Sequence, residues 1–135
     1  MTDTDLLRAI HRSSRRLTDD VAELVRPHGL CITEFGVLEA ISALGPQPIQ
    51  VISRRVLVTS GSMTYTVNQL VKKGLILREP DEADSRRFRL VLTDEGRALI
   101  EGLLEEHHAL MERDFSIYSE EEKAGLVALL GRLWQ

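Results

Sequence analysis

The sequence predicts a mainly α-helical winged helix-turn-helix, with a small β-hairpin wing and terminal helices that form a dimerisation domain. Apolar residues recur at helical spacing in both terminal regions. Between them, a helical segment with one polar face ends at Gly74, and two strand-like runs joined by a charged loop follow it. We expect one domain over residues 1–135, with dimerisation helices at 3–30 and 94–135 around a winged module at 32–92.

The first two helices are predicted from apolar spacing and from residues that stop helices. The first helix is expected from Asp3 to about Arg26, before Pro27. Thr33 is the expected N-cap of the second helix, which Gly45 interrupts. The inward positions expected on that second helix are Phe35, Leu38, Ile41, Ala43 and Leu44.

A short third helix is expected at roughly 49–56, and a fourth from a Thr59 cap to about Lys73. Gly74 suits the left-handed position that closes a helix. The fourth helix is expected to bury Met63, Val67, Leu70 and Val71. Its opposite face carries Ser62, Tyr65, Gln69 and Lys72, flanked by Thr66, Asn68 and Lys73.

The wing and the last two helices follow. Residues 75–78 and 88–92 are expected to pair as one hairpin. Thr93 is the expected cap of a long helix to about Asp114, and Ser119 with Glu122 is a capping-box pattern for a final helix. That last helix carries a leucine stripe at Leu126, Leu129, Leu130 and Leu133.

The charge distribution singles out the central module. The chain as a whole carries −4, but residues 54–89 hold eight basic and four acidic residues, a local balance of +4. A basic region on an acidic body suits a nucleic-acid partner, because phosphate attraction is screened within roughly 10 Å. The alternative from composition alone is a solvated charged face.

Several function classes are not indicated. The chain has neither an apolar run long enough to span a membrane nor the charge order of a signal peptide, and its one cysteine fits a reducing compartment. We therefore expect a cytoplasmic protein. No phosphate-binding glycine loop, metal-spaced His/Cys cluster or nucleophile elbow is present, so neither an enzyme nor a cofactor is predicted.

The sequence resembles the MarR family of transcriptional regulators over nearly its whole length. The most specific match is in the wing, where Asp84-Ser85-Arg86 is followed by Leu-Thr-x-x-Gly, beginning six residues after the arginine. The other matching runs are Thr33-Glu34-Phe35 with Val37-Leu38, Leu57-Val58-Thr59-Ser60-Gly61-Ser62-Met63-Thr64, and Lys73-Gly74-Leu75-Ile76 with Leu70 before it.

The resemblance implies a homodimer that binds a pseudo-palindromic operator in double-stranded DNA, as a repressor that a small effector releases. Arg86 corresponds to the wing arginine that enters the minor groove, and Asp84 to the acid that orients it. The DNA-contacting set inferred from the resemblance and from the charges is Arg54, Thr59, Ser60, Ser62, Thr64, Tyr65, Asn68, Gln69, Lys72, Asp84, Arg86 and Arg87. The competing hypothesis is a winged-helix module that only contacts proteins.

The recognition helix departs from the family pattern. Tyr65, Asn68 and Gln69 stand where relatives often carry arginine, aspartate and arginine. Asn and Gln side chains can bind adenine through its N6 and N7 atoms, and Tyr can contact phosphate or a thymine methyl group. More of the attraction to phosphate is then expected from Arg54 and Arg55, with Lys72, Arg86 and Arg87.

An effector site is expected where the family binds small aromatic or phenolic acids. His11, Arg12 and Arg15 of the first helix are candidate donors to a carboxylate, although solvated charges explain them as well. Cys31 is expected to be a buried or half-buried, inert thiol. A zinc site built from His28, Cys31, His107 and His108 is disfavoured, because adjacent histidines point about 100° apart on a helix.

Overall fold

A computed structural model describes residues 1–56 and 60–135 of the chain. Their secondary structure confirms the predicted winged helix-turn-helix class. The elements in chain order are α1 (Asp3–Val25), α2 (Ile32–Leu44), β1 (Gln47–Pro48), α3 (Ile49–Val56), α4 (Ser60–Lys72), β2 (Ile76–Pro80), β3 (Phe88–Leu92), α5 (Asp94–Asp114) and α6 (Glu120–Gly131). The predicted cap at Thr59 lies outside the described residues.

The junction between α1 and α2 corrects one prediction. α1 runs into a 3-10 turn at Arg26–His28, and Gly29 then adopts a left-handed φ of 74°. Thr33 is not the N-cap of α2, since the cap is Cys31, two residues earlier, and the helix begins at Ile32. Glu34 decides this, because its carboxylate accepts the backbone N–H of Cys31 at 2.9 Å and so closes the first turn around that residue.

The core is centred on α2, which packs against α1, α3, α4 and α5. Its buried members include Phe35, Leu38 and Ile41 of α2 and Met63, Val67 and Leu70 of α4, as expected, whereas Val71 is only partly buried. Ala43 and Leu44, however, are exposed and not inward-facing as predicted. The last turn of α2 leaves the core there, because Gly45 redirects the chain towards β1 with a φ of 77°. The largest fully buried side chains of the described residues include Leu38, Ile52, Met63, Leu70, Ile76, Leu90, Ile100 and Leu103.

A three-stranded antiparallel sheet in the order β1-β3-β2 forms the base of the wing. The hairpin β2–β3 was predicted, and its register pairs Ile76 with Leu92 and Pro80 with Phe88. The edge strand β1 was not predicted. The sequence signal there is a helix breaker, and Gln47 and Pro48 become strand only because Leu90 and Arg89 lie opposite them.

The caps of the two C-terminal helices are those predicted. Thr93 Oγ1 accepts the N–H of Gly96 at 3.0 Å and donates to the carbonyl of Gly74 at 2.7 Å, so it joins α5 to the end of α4. Ser119 and Glu122 form a reciprocal capping box at the start of α6. In the described part of the chain, no helix is both long and apolar enough to cross a membrane.

The two terminal helices leave apolar side chains in solvent. Leu6 and Leu7 on α1 are more than half exposed. The leucine stripe of α6 is also uncovered, with Leu129 at 55% exposure and, beyond the end of the helix, Leu133 at 77% and Trp134 at 71%. Within the residues that the structure describes, these apolar side chains are therefore only partly covered.

Candidate nucleic-acid interface

The outer face of α4 is set by the residues on its inner face. Met63, Val67 and Leu70 are fully buried, which turns the opposite side of the helix to solvent. Tyr65 is 67% exposed, and Asn68 is also exposed. The exposed face of α4 therefore presents hydrogen-bonding side chains.

Not every polar residue of α4 belongs to this face. Thr66 is buried, and its hydroxyl donates to the carbonyl of Ser62 at 2.7 Å within the helix. Gln69 is half-buried, while Ser62, Thr64 and Lys72 are exposed. Ser60 is the first residue of the helix.

The tip of the wing is held by its own hydrogen bonds. The N–H of Asp81 donates to the carbonyl of Arg87 at 2.9 Å, and the N–H of Arg87 donates to the carbonyl of Asp84 at 3.0 Å. The Asp84 carboxylate accepts two hydrogen bonds from Arg86, one from the backbone N–H at 3.0 Å and one from Nε at 3.2 Å. These two donors lower the pKa of Asp84, the backbone N–H most. The contact between Asp84 and Arg86 that the resemblance implies is present.

The Arg86 side chain is held by a hydrogen bond and is nevertheless exposed to solvent. Its guanidinium is held at Nε by Asp84, yet 89% of the side chain is open to solvent. Nε carries one of the five N–H groups of a guanidinium, so four donors remain besides the one that Asp84 holds. Arg87 beside it is exposed as well. The arrangement places a pre-oriented, exposed cation in the loop that joins β2 to β3.

Three other basic side chains in the region 54–89 form ion pairs with carboxylates. Arg55 donates to both oxygens of Glu39, at 2.8 and 3.3 Å, which raises the pKa of Arg55. Lys73 Nζ contacts the buried Glu34 at 2.6 Å and the carbonyl of Gly29 at 2.7 Å. These contacts tie α3 and α4 to α2, so Arg55 and Lys73 contribute to packing rather than to the open basic surface.

Arg89 is matched in a similar way. It lies between Glu79 at 3.4 Å and Glu82 at 3.7 Å. The cations of the predicted contact set, Arg54, Lys72, Arg86 and Arg87, are all exposed.

A shallow cavity joins the two helices of the module. It has a volume of about 450 Å³ and its lining brings Arg54 and Ser53 of α3 together with Met63 and Thr64 of α4. Arg54 and Thr64, which were predicted separately, thus lie on one surface.

One residue of this surface was missed at the sequence level. The guanidinium of Arg78, on β2, donates a hydrogen bond to Oδ1 of Asn68 on α4. The sequence indicated part of this contact, because a turn at Gly74 brings the residues that follow it alongside the end of α4. The pairing of two side chains ten residues apart was not deducible from spacing alone.

The effector candidates do not line the cavity beside α1. His11, Arg12 and Arg15 are all exposed on α1. A cavity of about 400 Å³ does lie between α1 and the end of α5, but its lining contains Ser13, Arg16 and Leu17 instead. The remaining lining residues are Arg113, Asp114, Phe115, Ile117 and Tyr118.

Two carboxyl groups meet at the edge of this cavity. Asp114 hydrogen-bonds Asp20, and this contact raises the pKa of Asp114 and lowers that of Asp20. Arg16 lies 3.4 Å from Asp20, and Arg113 lies 3.7 Å from Asp114. The four side chains link α1 to the C-terminal end of α5.

The expectation for Cys31 is wrong in its burial, since the thiol is exposed. Its position at the cap of α2 explains this, because a cap residue lies outside the packed face of its helix. His28 is 3.6 Å from Glu106, whereas His107 packs against Phe35 with ring centroids 5.3 Å apart. Burial lowers the pKa of His107. Residues 1–56 and 60–135 contain no cluster of three or more His, Cys, Asp or Glu that could hold a metal ion.

Comparison with known proteins supports the interpretation of the central module as a winged helix-turn-helix. Residues 30–88 match the family model described as the MarR family. The chain is 34% identical to the HTH-type transcriptional regulator MhqR of Bacillus subtilis over 124 residues, which cover 92% of this chain and 86% of that protein.

Solved structures show the same fold. A mutant of MarR from E. coli complexed with operator DNA superposes with a TM-score of 0.88 at 24% identity, covering 97% of this chain and 94% of the other. BpsR of Bordetella bronchiseptica, whose DNA binding is regulated by 6-hydroxynicotinic acid, superposes with a TM-score of 0.84 at 21% identity, covering 93% and 90%. MhqR, the relative from Bacillus subtilis, is a transcriptional regulator.

Proposed function

The chain belongs to the MarR family of DNA-binding transcriptional regulators, and we propose that it acts in the cytoplasm as a homodimeric repressor of a pseudo-palindromic operator. The observation that carries the proposal is the wing tip, where Asp84 orients a side chain of Arg86 that is 89% exposed. An arginine presented in this way suits insertion into a narrow minor groove, where the negative potential is enhanced.

The polar face of α4 supplies the second part of the proposed interface. Tyr65, Asn68 and Gln69 offer hydrogen-bonding groups of the kind that bind base edges in a major groove. Arg54 and Lys72 lie on α3 and at the end of α4, where phosphate contacts would fix the register of the helix. Thr59, Ser60, Ser62 and Thr64 are proposed contacts near the start of α4.

Homodimerisation is proposed from the uncovered apolar surfaces of α1 and α6. A second copy would bury Leu6, Leu129 and Leu133, which a single chain leaves in water. A two-fold dimer also places two winged modules about one helical turn of DNA apart, ~10 bp between half-site centres.

Release by a small effector is the finer part of the proposal. A structural neighbour, BpsR, has its DNA binding regulated by 6-hydroxynicotinic acid. We propose a small aromatic or phenolic acid as the effector here, with His11, Arg12 and Arg15 as the candidate donors. Because coupling is reciprocal, operator DNA would weaken effector binding by the same factor by which the effector weakens DNA binding.

The deciding experiment is the selection of duplexes from a random pool, followed by titration of the selected operator at several salt concentrations. A sequence-specific regulator enriches a palindromic motif and loses affinity steeply as salt rises. A protein that enriches no motif and shows flat salt dependence would instead be a winged-helix module for protein contacts. Calorimetry with aromatic acids, with and without operator, then tests the effector.

A further inference from the structure

The hydrogen bond between Arg78 and Asn68 fixes which end of the Asn68 amide faces outward. A guanidinium has only donors, so the atom that it contacts must be the amide oxygen, Oδ1. This removes the usual ambiguity between the oxygen and nitrogen of an asparagine. The NH2 group is consequently the part of Asn68 left for another partner, and the side chain is exposed on the outer face of α4.

This orientation argues against the adenine contact expected from the sequence. Bidentate binding of adenine needs Oδ1 to accept from N6 while Nδ2 donates to N7. Oδ1 has a second lone pair, but a base donor that reached it would place its hydrogen beside the positively charged guanidinium. The remaining N–H groups of Arg78 also make the neighbourhood of Asn68 richer in donors.

We propose that Arg78 is a positioning residue that restricts Asn68 to donating, so that this position of the recognition helix selects guanine rather than adenine. Guanine presents two acceptors, O6 and N7, in the major groove, and no other base offers two there. The inference rests on the proposed function, since it requires α4 to lie in the major groove.

The test compares operators selected by the wild type, Asn68→Ala, Arg78→Ala and the double variant. The base pair whose preference is lost in Asn68→Ala identifies the position that Asn68 contacts. There, the wild type should prefer guanine over adenine by roughly five- to tenfold. Arg78→Ala frees the amide to rotate, so the preference should shift towards adenine. In the Asn68→Ala background, Arg78→Ala should leave base preference unchanged, because the amide that it positions is gone.

Asn68→Asp provides a variant that keeps an acceptor for Arg78 but replaces the amide donor with a second acceptor and adds a negative charge. It should lose the guanine preference and bind all duplexes more weakly. In a separate measurement, 7-deazaguanine at the same position removes the N7 acceptor. It should weaken binding by the wild type several-fold and leave Asn68→Ala unaffected.

Three results would overturn the inference while leaving DNA binding intact. The wild type could prefer adenine at this position, Asn68→Ala could weaken binding to all sequences equally, as a phosphate contact would, or Arg78→Ala could leave the base preference where it was. Failure of the wild type to bind any duplex would instead reject the proposed function itself.

Discussion

At the scale of single residues, the wing tip shows how a short loop prepares one side chain for binding. Asp84 holds Arg86 through the Nε atom, so the side chain loses less conformational freedom when it meets a partner. The same loop leaves the rest of the guanidinium unobstructed. Orientation and exposure are combined in one residue without burial of its charge.

Removal of this side chain is the direct test of its role. Arg86→Ala should weaken operator binding by ~1–3 kcal/mol, since a groove contact and a favourable charge are both lost. The measurement is a binding titration at fixed salt. Arg97→Ala removes a similar exposed charge from α5, outside the proposed interface, and should change affinity much less. Equal effects of the two variants would contradict a specific role for Arg86.

The pKa of Asp84 gives a pH dependence with a definite sign. Its carboxylate is favoured in the folded wing, so its pKa lies below the ordinary value of 3.8. The stabilisation is therefore complete above that ordinary value and is lost as the pH falls through the lowered one. NMR titration of the Asp84 carboxyl should show the low midpoint. In Arg86→Ala the midpoint should rise only partway, because the backbone N–H of residue 86 still donates. An ordinary midpoint in the wild type would contradict the geometry of the tip.

At the scale of elements, α5 is joined closely to the turn that precedes the wing. The backbone of Gly96 lies against Leu75, and a Cβ at Gly96 would overlap the carbonyl oxygen of that residue. The same carbonyl accepts the N–H of Thr93 at 3.0 Å. The glycine thus allows the capped start of α5 to pack directly on the start of the hairpin.

Two glycine substitutions in α5 should differ in their effect on stability. Gly96→Ala should destabilise the protein by ~1–3 kcal/mol, because backbone atoms must move apart to admit the methyl group. Gly102→Ala meets no atom within 4 Å and should be neutral or stabilising by up to ~1 kcal/mol, as expected within a helix. Urea denaturation measures both. Equal stability of the two variants would show that the start of α5 can shift freely.

Neighbouring lysines at the end of α4 should separate stability from DNA binding. Lys73→Ala leaves the buried Glu34 without its ammonium partner, and we expect a loss of ~1–3 kcal/mol in the free energy of unfolding. Lys72→Ala should leave stability nearly unchanged but lower operator affinity and reduce its salt dependence by about one counterion. The reverse assignment, with Lys72 stabilising and Lys73 binding DNA, would contradict the contacts of α4 with α2.

At the scale of the whole molecule, the exposed stripe of α6 predicts self-association. Sedimentation equilibrium at micromolar concentration should show twice the chain mass of 15.2 kDa. Leu129→Glu with Leu133→Glu should shift the protein towards monomer and weaken operator binding, because two half-sites need two modules. Leu77→Glu changes an exposed apolar residue of the wing and should leave the dimer intact. A monomeric wild type would reject the proposed assembly.

Much of this architecture was predictable because it depends on local signals. The caps at Thr93 and Ser119 and the left-handed Gly74 all act within a few residues. The errors also have local causes. The start of α2 was misplaced because Cys31 is an unusual cap, and β1 was missed because two residues carry no strand signal of their own.

For the candidate site, the sequence predicted which side chains are exposed better than it predicted which of them form ion pairs. Tyr65 and Arg86 are as open as the pattern predicted. The engagement of Arg55 by Glu39 was not foreseen, because the two residues are sixteen apart and meet only when α2 packs on α3. Charge counts treat such a cation as available for DNA.

The sequence by itself determined the fold class, the polar face of α4 and the Asp-x-Arg motif of the wing, because periodicity, capping and loop motifs act over short distances along the chain. Only the tertiary structure decided which cations remain unpaired with carboxylates and which way the Asn68 amide points. Those properties depend on side chains brought together from different elements, and their contacts leave no periodic signal in the sequence.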